Sequence, residues 1–176
     1  MDTLKTITTR KSIRAYTNQD VSNEQICTLL KAMIASPSAG NRQPWRIYVV
    51  RDEKIQQKLA SGAHDQEFIM EAPVVFVVCR VPDESGVRYQ NRGRLFYSIQ
   101  DTAAMTQNLL LAAHAVGLGS CWVGAFNDSA IATALDCPPE VLPVAIIPVG
   151  YPAESPGPRG RRSLDSVVHF LPPKSS

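Results

Sequence analysis

The stretch from Pro73 to Arg80 (P-V-V-F-V-V-C-R) constrains the fold more than any other part of the sequence. It is almost continuously apolar and rich in β-branched residues, a pattern typical of a central strand that is buried on both faces. A sheet covered on both faces needs helices on each side, so we expect three layers. The length of 176 residues suits one domain of this kind, or two very small ones.

Apolar periodicity and capping signals predict further elements around this strand. Ser22 and Gln25 form a capping box at the start of an amphipathic helix that runs to Ile34. The segment Ser98 to Val116 is apolar on most sides, so it is predicted to be a buried central helix that Gly117 and Gly119 stop. The remaining predictions are a helix at 3–9 with Leu4 and Ile7 inward, strands at 46–51, 120–123 and 144–149, helices at 53–61 and 66–71, and a helix capped by Asn127 that runs to Leu135.

Two segments are expected to lack regular structure. Val81 to Gly93 is polar and irregular, so it is predicted to be a surface loop. The residues after Gly150 are rich in proline and are predicted to form an extended arm that packs on something else, such as a second subunit.

Charge and composition exclude several classes of protein. The balance of 18 Lys and Arg against 16 Asp and Glu gives a net charge of +2, which disfavours a general nucleic-acid binder. No apolar run is long enough for a transmembrane helix and the N-terminus does not resemble a signal peptide, so we expect a cytoplasmic protein. The cysteines at 27, 79, 121 and 137 and the three histidines have no metal-ligand spacing, so we expect four buried free thiols and no metal site.

Two clusters of cations stand at opposite ends of the chain. In the first, Arg10, Ser12 and Arg14 fall on one side of an extended segment and can bind a phosphate, with Lys11 between them. In the second, Arg159 and Arg161 are also two residues apart and can close on the same anion. The alternative for both clusters is solvated surface charge.

A polar loop follows the first long helix. Residues 37–45 contain Ser38, Asn41 and Gln43, whose side chains can hold the edge of a planar polar ring or can simply stabilise turns. Trp45 and Trp122 are interpreted as core residues in preference to stacking platforms.

Several motifs together resemble the FMN-dependent nitroreductase family. They are R-K-S-I-R-A-Y at 10–16, P-S-A-G-N-R-Q-P-W at 37–45, the helix start at 99–104, G-L-G-S-C-W-V-G-A-F at 117–126, G-Y-P at 150–152 and the tail at 161–169. They occur in the family's order and span nearly the whole chain. The resemblance implies an α+β, three-layer sandwich with a central mixed β-sheet flanked by helices. It also implies one domain over residues 1–176 whose arm, residues 153–176, packs on the partner subunit.

The resemblance further implies a homodimer with two FMN sites at the subunit interface. Arg10, Lys11 and Ser12 would hold the FMN phosphate and ribityl chain, Arg14 would lie beside the pyrimidine, and Arg159 and Arg161 would close on the phosphate. The partner subunit would supply Pro37, Ser38 and Asn41. The backbone at Val123, Gly124 and Ala125 would run along the flavin, and a position between His64 and Gln66 contacts the pyrimidine in some family members.

The implied activity is transfer of electrons from NAD(P)H through FMN to a small organic acceptor, such as a nitroaromatic compound or a quinone, by a ping-pong mechanism. The flavin supplies the reaction, so we expect no catalytic side chain.

Two alternatives to this activity stay open. One is a relative of the same fold whose lid over the flavin, at 81–93, supports flavin fragmentation or reductive dehalogenation. The other is a flavin-binding protein without turnover. Within 81–93, Arg88, Tyr89, Asn91 and Arg92 are either acceptor contacts or solvated side chains.

Overall fold

The computed structural model describes residues 2–171, in which helices pack on both sides of one sheet. The helices are α1 (Thr3–Thr9), α2 (Asn23–Ile34), α3 (Glu53–Gly62), α4 (Phe68–Glu71), α5 (Pro82–Arg92), α6 (Ser98–Ala115) and α7 (Asp128–Ala134). The strands are β1 (Trp45–Val50), β2 (Val74–Arg80), β3 (Gly119–Ser120) and β4 (Leu142–Gly150). Short 3-10 turns lie at Ala39–Asn41 and Leu164–Ser166, and a π-helical turn spans Gly93–Tyr97.

The sheet has the strand order β1-β2-β4-β3, and each of these neighbouring pairs is antiparallel. The mixed character expected for the sheet is therefore limited, among the described residues, to one isolated parallel bridge between Ser12 and Ser120. The α+β class is confirmed. The predicted strand at 120–123 is shorter than expected, and Val123 instead forms a separate bridge with Ile146.

Strand β2 carries the two halves of the core on its opposite faces. Val75, Val77 and Cys79 belong to the apolar cluster that includes residues of α3, α4 and α7. Val74, Phe76 and Val78 belong to the cluster that includes residues of α2 and α6. All six side chains are fully buried, because successive residues of a strand point to opposite faces. The three layers predicted from the Pro73–Arg80 run are confirmed.

The ends of the long helices follow their local signals. The Ser22 side chain accepts from the Gln25 backbone, and the Gln25 side chain accepts from the Ser22 backbone, which completes the predicted capping box of α2. Helix α6 ends where Gly117 takes a φ of +83°, in the left-handed region that glycine enters at little cost.

The prediction of a loop over Val81–Gly93 is wrong, because α5 occupies most of it. Pro82 stands in the first turn with acidic residues beside it, which are helix-start signals. The apolar periodicity that identifies most helices is missing, since the buried positions of α5 are Ser85 and Gly86. Gln90, with a φ of +49°, interrupts the helix near its end.

Several side chains lie differently from the prediction. In α1, Thr6 is buried while Leu4 is 72% and Ile7 49% exposed. Trp45 is buried as predicted, but Trp122 is 39% exposed because the flanking residues Cys121 and Val123 take the inward positions. The four cysteines are free, yet only Cys79 and Cys121 are buried: Cys27 is exposed on α2 beside the inward-facing Ile26, and Cys137 is half-buried.

The chain after β4 forms the expected arm. From Tyr151 to Leu171 it has no regular structure beyond the bridge at Pro152 and the turn at Leu164–Ser166. The final stretch predicted for the arm, residues 172–176, lies outside the described residues. Among the described helices, none combines the length and the apolar character that crossing a membrane requires.

Candidate functional site

The segment Arg10–Arg14 is held in an extended conformation between β3 and the start of the arm. On one side, the Ile13 backbone N–H donates to the Ser120 carbonyl at 3.0 Å. On the other, Tyr16 pairs with Pro152, and its buried hydroxyl donates back to the Ile13 carbonyl at 2.7 Å. These contacts fix the alternation of side chains along the segment.

The structure brings the two cationic clusters together. Residues of both line one concavity of about 230 Å³, which we call the cradle. Its lining residues are Arg10, Lys11, Ser12, Arg14, Glu154, Pro156, Gly157, Arg159 and Arg161. Five cations thus face one carboxylate among the described residues of the lining, and such an excess favours an anionic ligand.

Hydrogen bonds join the N-terminal side of the cradle to the arm. The Lys11 ammonium donates to the Pro156 carbonyl, and the Arg14 backbone N–H donates to the Glu154 carboxylate. Because both bonds link positions about 140 residues apart, they set the distance between the two clusters. Glu154 was not predicted, since one acidic residue in a proline-rich tail gives no recognisable pattern.

Cys121 lies under the cradle. Burial raises the pKa of its thiol, and the neighbouring Arg14 guanidinium opposes that shift in part. A buried thiol with a raised pKa is protonated at neutral pH, so Cys121 is a packing residue beneath the cradle and not a nucleophile.

A second group of predicted residues lies along the chain after Val123. Val123 exchanges both backbone hydrogen bonds with Ile146, at 2.9 and 3.0 Å, which leaves Gly124 and Ala125 exposed beyond the sheet. The Gln66 side chain donates to the Ala125 carbonyl at 3.4 Å. The structure therefore brings Gln66, one end of the family position at 64–66, next to the predicted Val123–Ala125 stretch.

Arg14 points toward this same region. Its guanidinium lies 5.9 Å from the centroid of the Phe68 ring, a cation–π contact. Phe68 begins α4 and follows Gln66 by two residues, so the aromatic contact of Arg14 and the amide contact of Ala125 come from neighbouring positions of the chain.

The loop with Pro37, Ser38 and Asn41 is rigid but separate from the cradle. The Ser38 hydroxyl accepts from the Gln43 backbone at 3.0 Å, and Gly40 and Asn41 both take a positive φ. These residues do not line the cradle within the part of the chain that the structure describes. Their predicted contribution to the site of a partner subunit stays a prediction.

Asp101 on α6 anchors that loop. Its Oδ1 accepts from the Ala39 backbone N–H at 3.0 Å, while its buried Oδ2 has no partner among the described residues. Burial raises the pKa of this carboxyl group. Sequence alone showed Asp101 only as part of a family-like helix and gave no sign of its contact with the loop.

Comparisons with known proteins show which family the chain resembles. The model of the nitroreductase family matches residues 7–67 and 58–151. A protein of Methanothermobacter thermautotrophicus with the provisional name NADH dehydrogenase/NAD(P)H nitroreductase is 36% identical over 171 residues, which cover 95% of this chain and 86% of the relative. The FMN reductase (NADPH) of Bacillus subtilis is 29% identical over 181 residues, covering 96% of this chain and 73% of the reductase.

A solved structure shows the same architecture. The NfrA1 nitroreductase from Bacillus subtilis superposes with a TM-score of 0.87 at 28% identity, covering 96% of this chain and 73% of that one. The expected three-layer fold is thus confirmed, and the family match extends over most of the described residues. The chain belongs to the nitroreductase family.

Proposed function

We propose that this protein binds FMN and uses NAD(P)H to reduce a small organic acceptor, such as a nitroaromatic compound or a quinone, by a ping-pong mechanism. The observation that carries the proposal is the cradle, where Arg10, Arg14, Arg159 and Arg161 converge with the Ser12 hydroxyl. Guanidinium groups bind phosphate oxygens in pairs and a hydroxyl adds a neutral donor, so these residues fit the phosphate of FMN.

In this proposal the side chains of the cradle bind the phosphate end of FMN, and the residues beyond Arg14 orient its ring. Bound FMN would supply the two-electron redox chemistry between NAD(P)H and the acceptor. Arg10, Lys11, Ser12, Arg159 and Arg161 would hold its phosphate and ribityl chain. The exposed backbone at Gly124 and Ala125, next to the Gln66 amide, would line the space for the ring.

Arg14 has a separate role in the proposal. Its position is fixed by the backbone bond to Glu154 and by the contact of its guanidinium with Phe68. A cation held beside the pyrimidine stabilises the negative charge that the ring gains on reduction, and this raises the reduction potential.

The active form in this proposal is a homodimer with two sites at the subunit interface. Arm residues Leu164 and Phe170 are 75% and 93% exposed in a single chain, which favours a partner surface that covers them. The partner's loop would then supply Pro37, Ser38 and Asn41. We also propose a single domain over residues 1–176 and a cytoplasmic location, in which the free cysteines stay reduced.

One contact favours a second candidate, a family member in which α5 acts as a lid over the flavin. Arg88 and Tyr89 lie directly on the loop at Gly40, where an added Cβ would stand 2.6 Å from the Tyr89 hydroxyl. Since the proposal places this loop at the partner's flavin, α5 lies close enough to line the space for the acceptor. Such a protein would bind FMN and leave it oxidised in the presence of NADH or NADPH.

The test is an absorbance spectrum of the purified protein, followed by anaerobic addition of NADH and then NADPH. A flavin spectrum that bleaches rapidly with either donor supports a reductase. A bound flavin that stays oxidised favours the lidded relative or a binding protein. A chain that takes up no flavin after FMN is added contradicts the proposal.

The role of the cradle is tested by the double variant Arg10→Ala/Arg14→Ala. Each lost charge-assisted hydrogen bond is worth about 1.5–3 kcal/mol, so the variant should purify without flavin and keep its fold. Arg162→Ala is the matched control, because Arg162 adjoins Arg161 but does not line the cradle. The ratio of flavin to protein absorbance measures retention, and a double variant with full flavin occupancy would contradict the assignment.

A further inference from the structure

The second half of α5 and the π-helical turn after it carry a cluster of arginines and aromatic rings, which we call the patch. Its members are Arg88, Tyr89, Arg92, Phe96 and Tyr97. The Tyr89 and Tyr97 rings meet edge to face with their centroids 5.1 Å apart, and the Phe96 and Tyr97 centroids are 6.1 Å apart. The three rings therefore form one continuous surface.

Contacts with these rings hold both arginines of the patch in place. The Arg92 guanidinium lies 5.0 Å from the centroid of Phe96 and 5.2 Å from that of Tyr97, and its Nε donates to the Tyr97 hydroxyl at 2.9 Å. The Arg88 guanidinium lies 5.5 Å from the centroid of the Tyr89 ring. Because cation–π contacts restrain the two side chains before any ligand arrives, less entropy is lost when they bind one.

Neither arginine of the patch forms a salt bridge within the described part of the chain. The two acidic residues of α5 are paired elsewhere, Asp83 with Arg94 and Glu84 with Arg46. Both arginines of the patch are exposed, so their donors are open to a ligand from solvent. Two such guanidinium groups beside aromatic rings fit a planar ligand that carries a carboxylate.

The patch touches the loop that contains Ser38 and Asn41. A Cβ added to Gly40 of this loop would stand 2.6 Å from the Tyr89 hydroxyl and 3.2 Å from Cδ of Arg88. In the proposed homodimer the loop lies at the partner's flavin. The patch then borders the space that the acceptor occupies.

We propose that the patch gives this protein a preference for aromatic acceptors that carry an anionic group. Arg88 and Arg92 bind the carboxylate of the acceptor, and its ring packs against Phe96 and Tyr97. For a nitroaromatic acceptor, two NAD(P)H and two protons convert the nitro group to a hydroxylamine and one water. This inference rests on the proposed function, because the patch can select an acceptor only beside a bound flavin.

The experiment compares para-nitrobenzoate with para-nitrobenzamide, which has the same shape but no charge. Full-length protein loaded with FMN is used, and kcat/KM is measured for each acceptor at a saturating concentration of donor. In Arg88→Gln/Arg92→Gln the ratio of the two values, nitrobenzoate over nitrobenzamide, should fall about tenfold or more from that of the wild type. Each charge-assisted hydrogen bond accounts for about that factor.

Binding is measured separately from turnover. Without a donor, titration of the oxidised protein with para-nitrobenzoate is followed by the change in flavin absorbance. The Kd should rise about tenfold or more in the double variant. Flavin content, measured on the same samples, checks that the variant is loaded like the wild type.

The matched control is Lys54→Gln/Lys58→Gln. It removes the same net charge from two exposed positions of α3. It should keep the acceptor ratio within about twofold of the wild type, since the overall field of the protein discriminates less than direct contacts do. An equal fall of the ratio in the control would overturn the inference.

Two further results would overturn the inference and leave the proposed function intact. One is an unchanged acceptor ratio in Arg88→Gln/Arg92→Gln. The other is a loss of kcat/KM for NADPH but not for NADH with the acceptor ratio unchanged, which would mean that the patch binds the phosphate of the donor. A protein that takes up no FMN, or reduces neither acceptor, would overturn both the inference and the proposed function.

Discussion

Asp101 shows how one side chain links the core to the proposed active site. The residue is 6% exposed on α6, and one oxygen of its carboxyl group orients the loop of Ser38 through the Ala39 backbone. The other oxygen has no described partner, so the charged form of the group is poorly stabilised. A buried charge with this arrangement makes the stability of the protein depend on pH.

We predict that Asp101→Asn removes this dependence. Because burial raises the pKa of Asp101 above the ordinary value of 3.8, the folded chain holds the proton more tightly than the unfolded chain between the two pKa values. The free energy of unfolding therefore falls as pH rises through that window. Between pH 4 and pH 7 the free energy of unfolding of the wild type should therefore fall relative to that of Asp101→Asn. Urea denaturation of both proteins at the two pH values measures this difference.

Asp101→Ala serves as the comparison at pH 7. It leaves the Ala39 N–H without an acceptor, which should cost about 1–3 kcal/mol relative to Asp101→Asn. Equal stabilities of the two variants would show that the Ala39 bond does not matter.

At this scale the sequence predicts residues that act in a local pattern. Arg10, Ser12 and Arg14 are recognisable because their spacing matches an extended segment. Asp101 and Glu154 are not, since each acquires its surroundings from a part of the chain more than 60 residues away. Local spacing contains no information about such contacts.

Helix α5 and the π-helical turn after it pack closely together through their backbones. A Cβ added to Gly93 would stand 2.4 Å from the Ser85 carbonyl oxygen, so only glycine fits there. Ser85 and Gly86 form the buried positions of α5 in place of leucine or valine. A helix that packs through small residues has no apolar periodicity, and this explains why the sequence predicts a loop.

We predict that Gly93→Ala destabilises the protein by about 1–3 kcal/mol, the usual cost of forcing extra volume into a closely packed site. Gly157→Ala should change the stability by less than about 0.5 kcal/mol, because an added Cβ there meets nothing within 4 Å. The midpoints of urea unfolding at constant m-value give both numbers. A tolerated Gly93→Ala would mean that α5 can move away from the turn.

Strands and long helices are better predicted than α5, because their burial leaves a visible pattern. Strand β2 is buried on both faces, and α6 ends at a glycine with a positive φ. For α1 the predicted helix is confirmed, but its predicted inner face is wrong. Leu4 and Ile7 suggest an apolar inner face, yet Thr6 takes the buried position and both apolar residues are exposed.

For the whole molecule, the arm determines whether the proposed site is complete. We predict that deletion of residues 153–176 abolishes flavin retention and weakens the proposed dimer, since it removes Arg159 and Arg161 together with the exposed apolar residues of the arm. Absorbance of the purified protein measures the flavin, and sedimentation velocity measures the oligomeric state.

The full-length variant Arg159→Ala/Arg161→Ala separates these two effects. It should lose about 100-fold or more in FMN affinity, given about 1.5–3 kcal/mol for each charge-assisted bond, and leave the proposed dimer intact. A truncated protein that stays a flavin-loaded dimer would contradict the role proposed for the arm.

The pairing of Lys11 with the Pro156 carbonyl spans 145 positions of the sequence. A ribosome therefore makes the first half of the cradle long before the second half, and a growing chain that has completed the whole sheet still has no closed anion site. If the cradle binds the flavin phosphate as proposed, cofactor uptake is restricted to chains that already include the arm. A chain cut short by a premature stop after β4 would lack Arg159 and Arg161 and with them half of the proposed site.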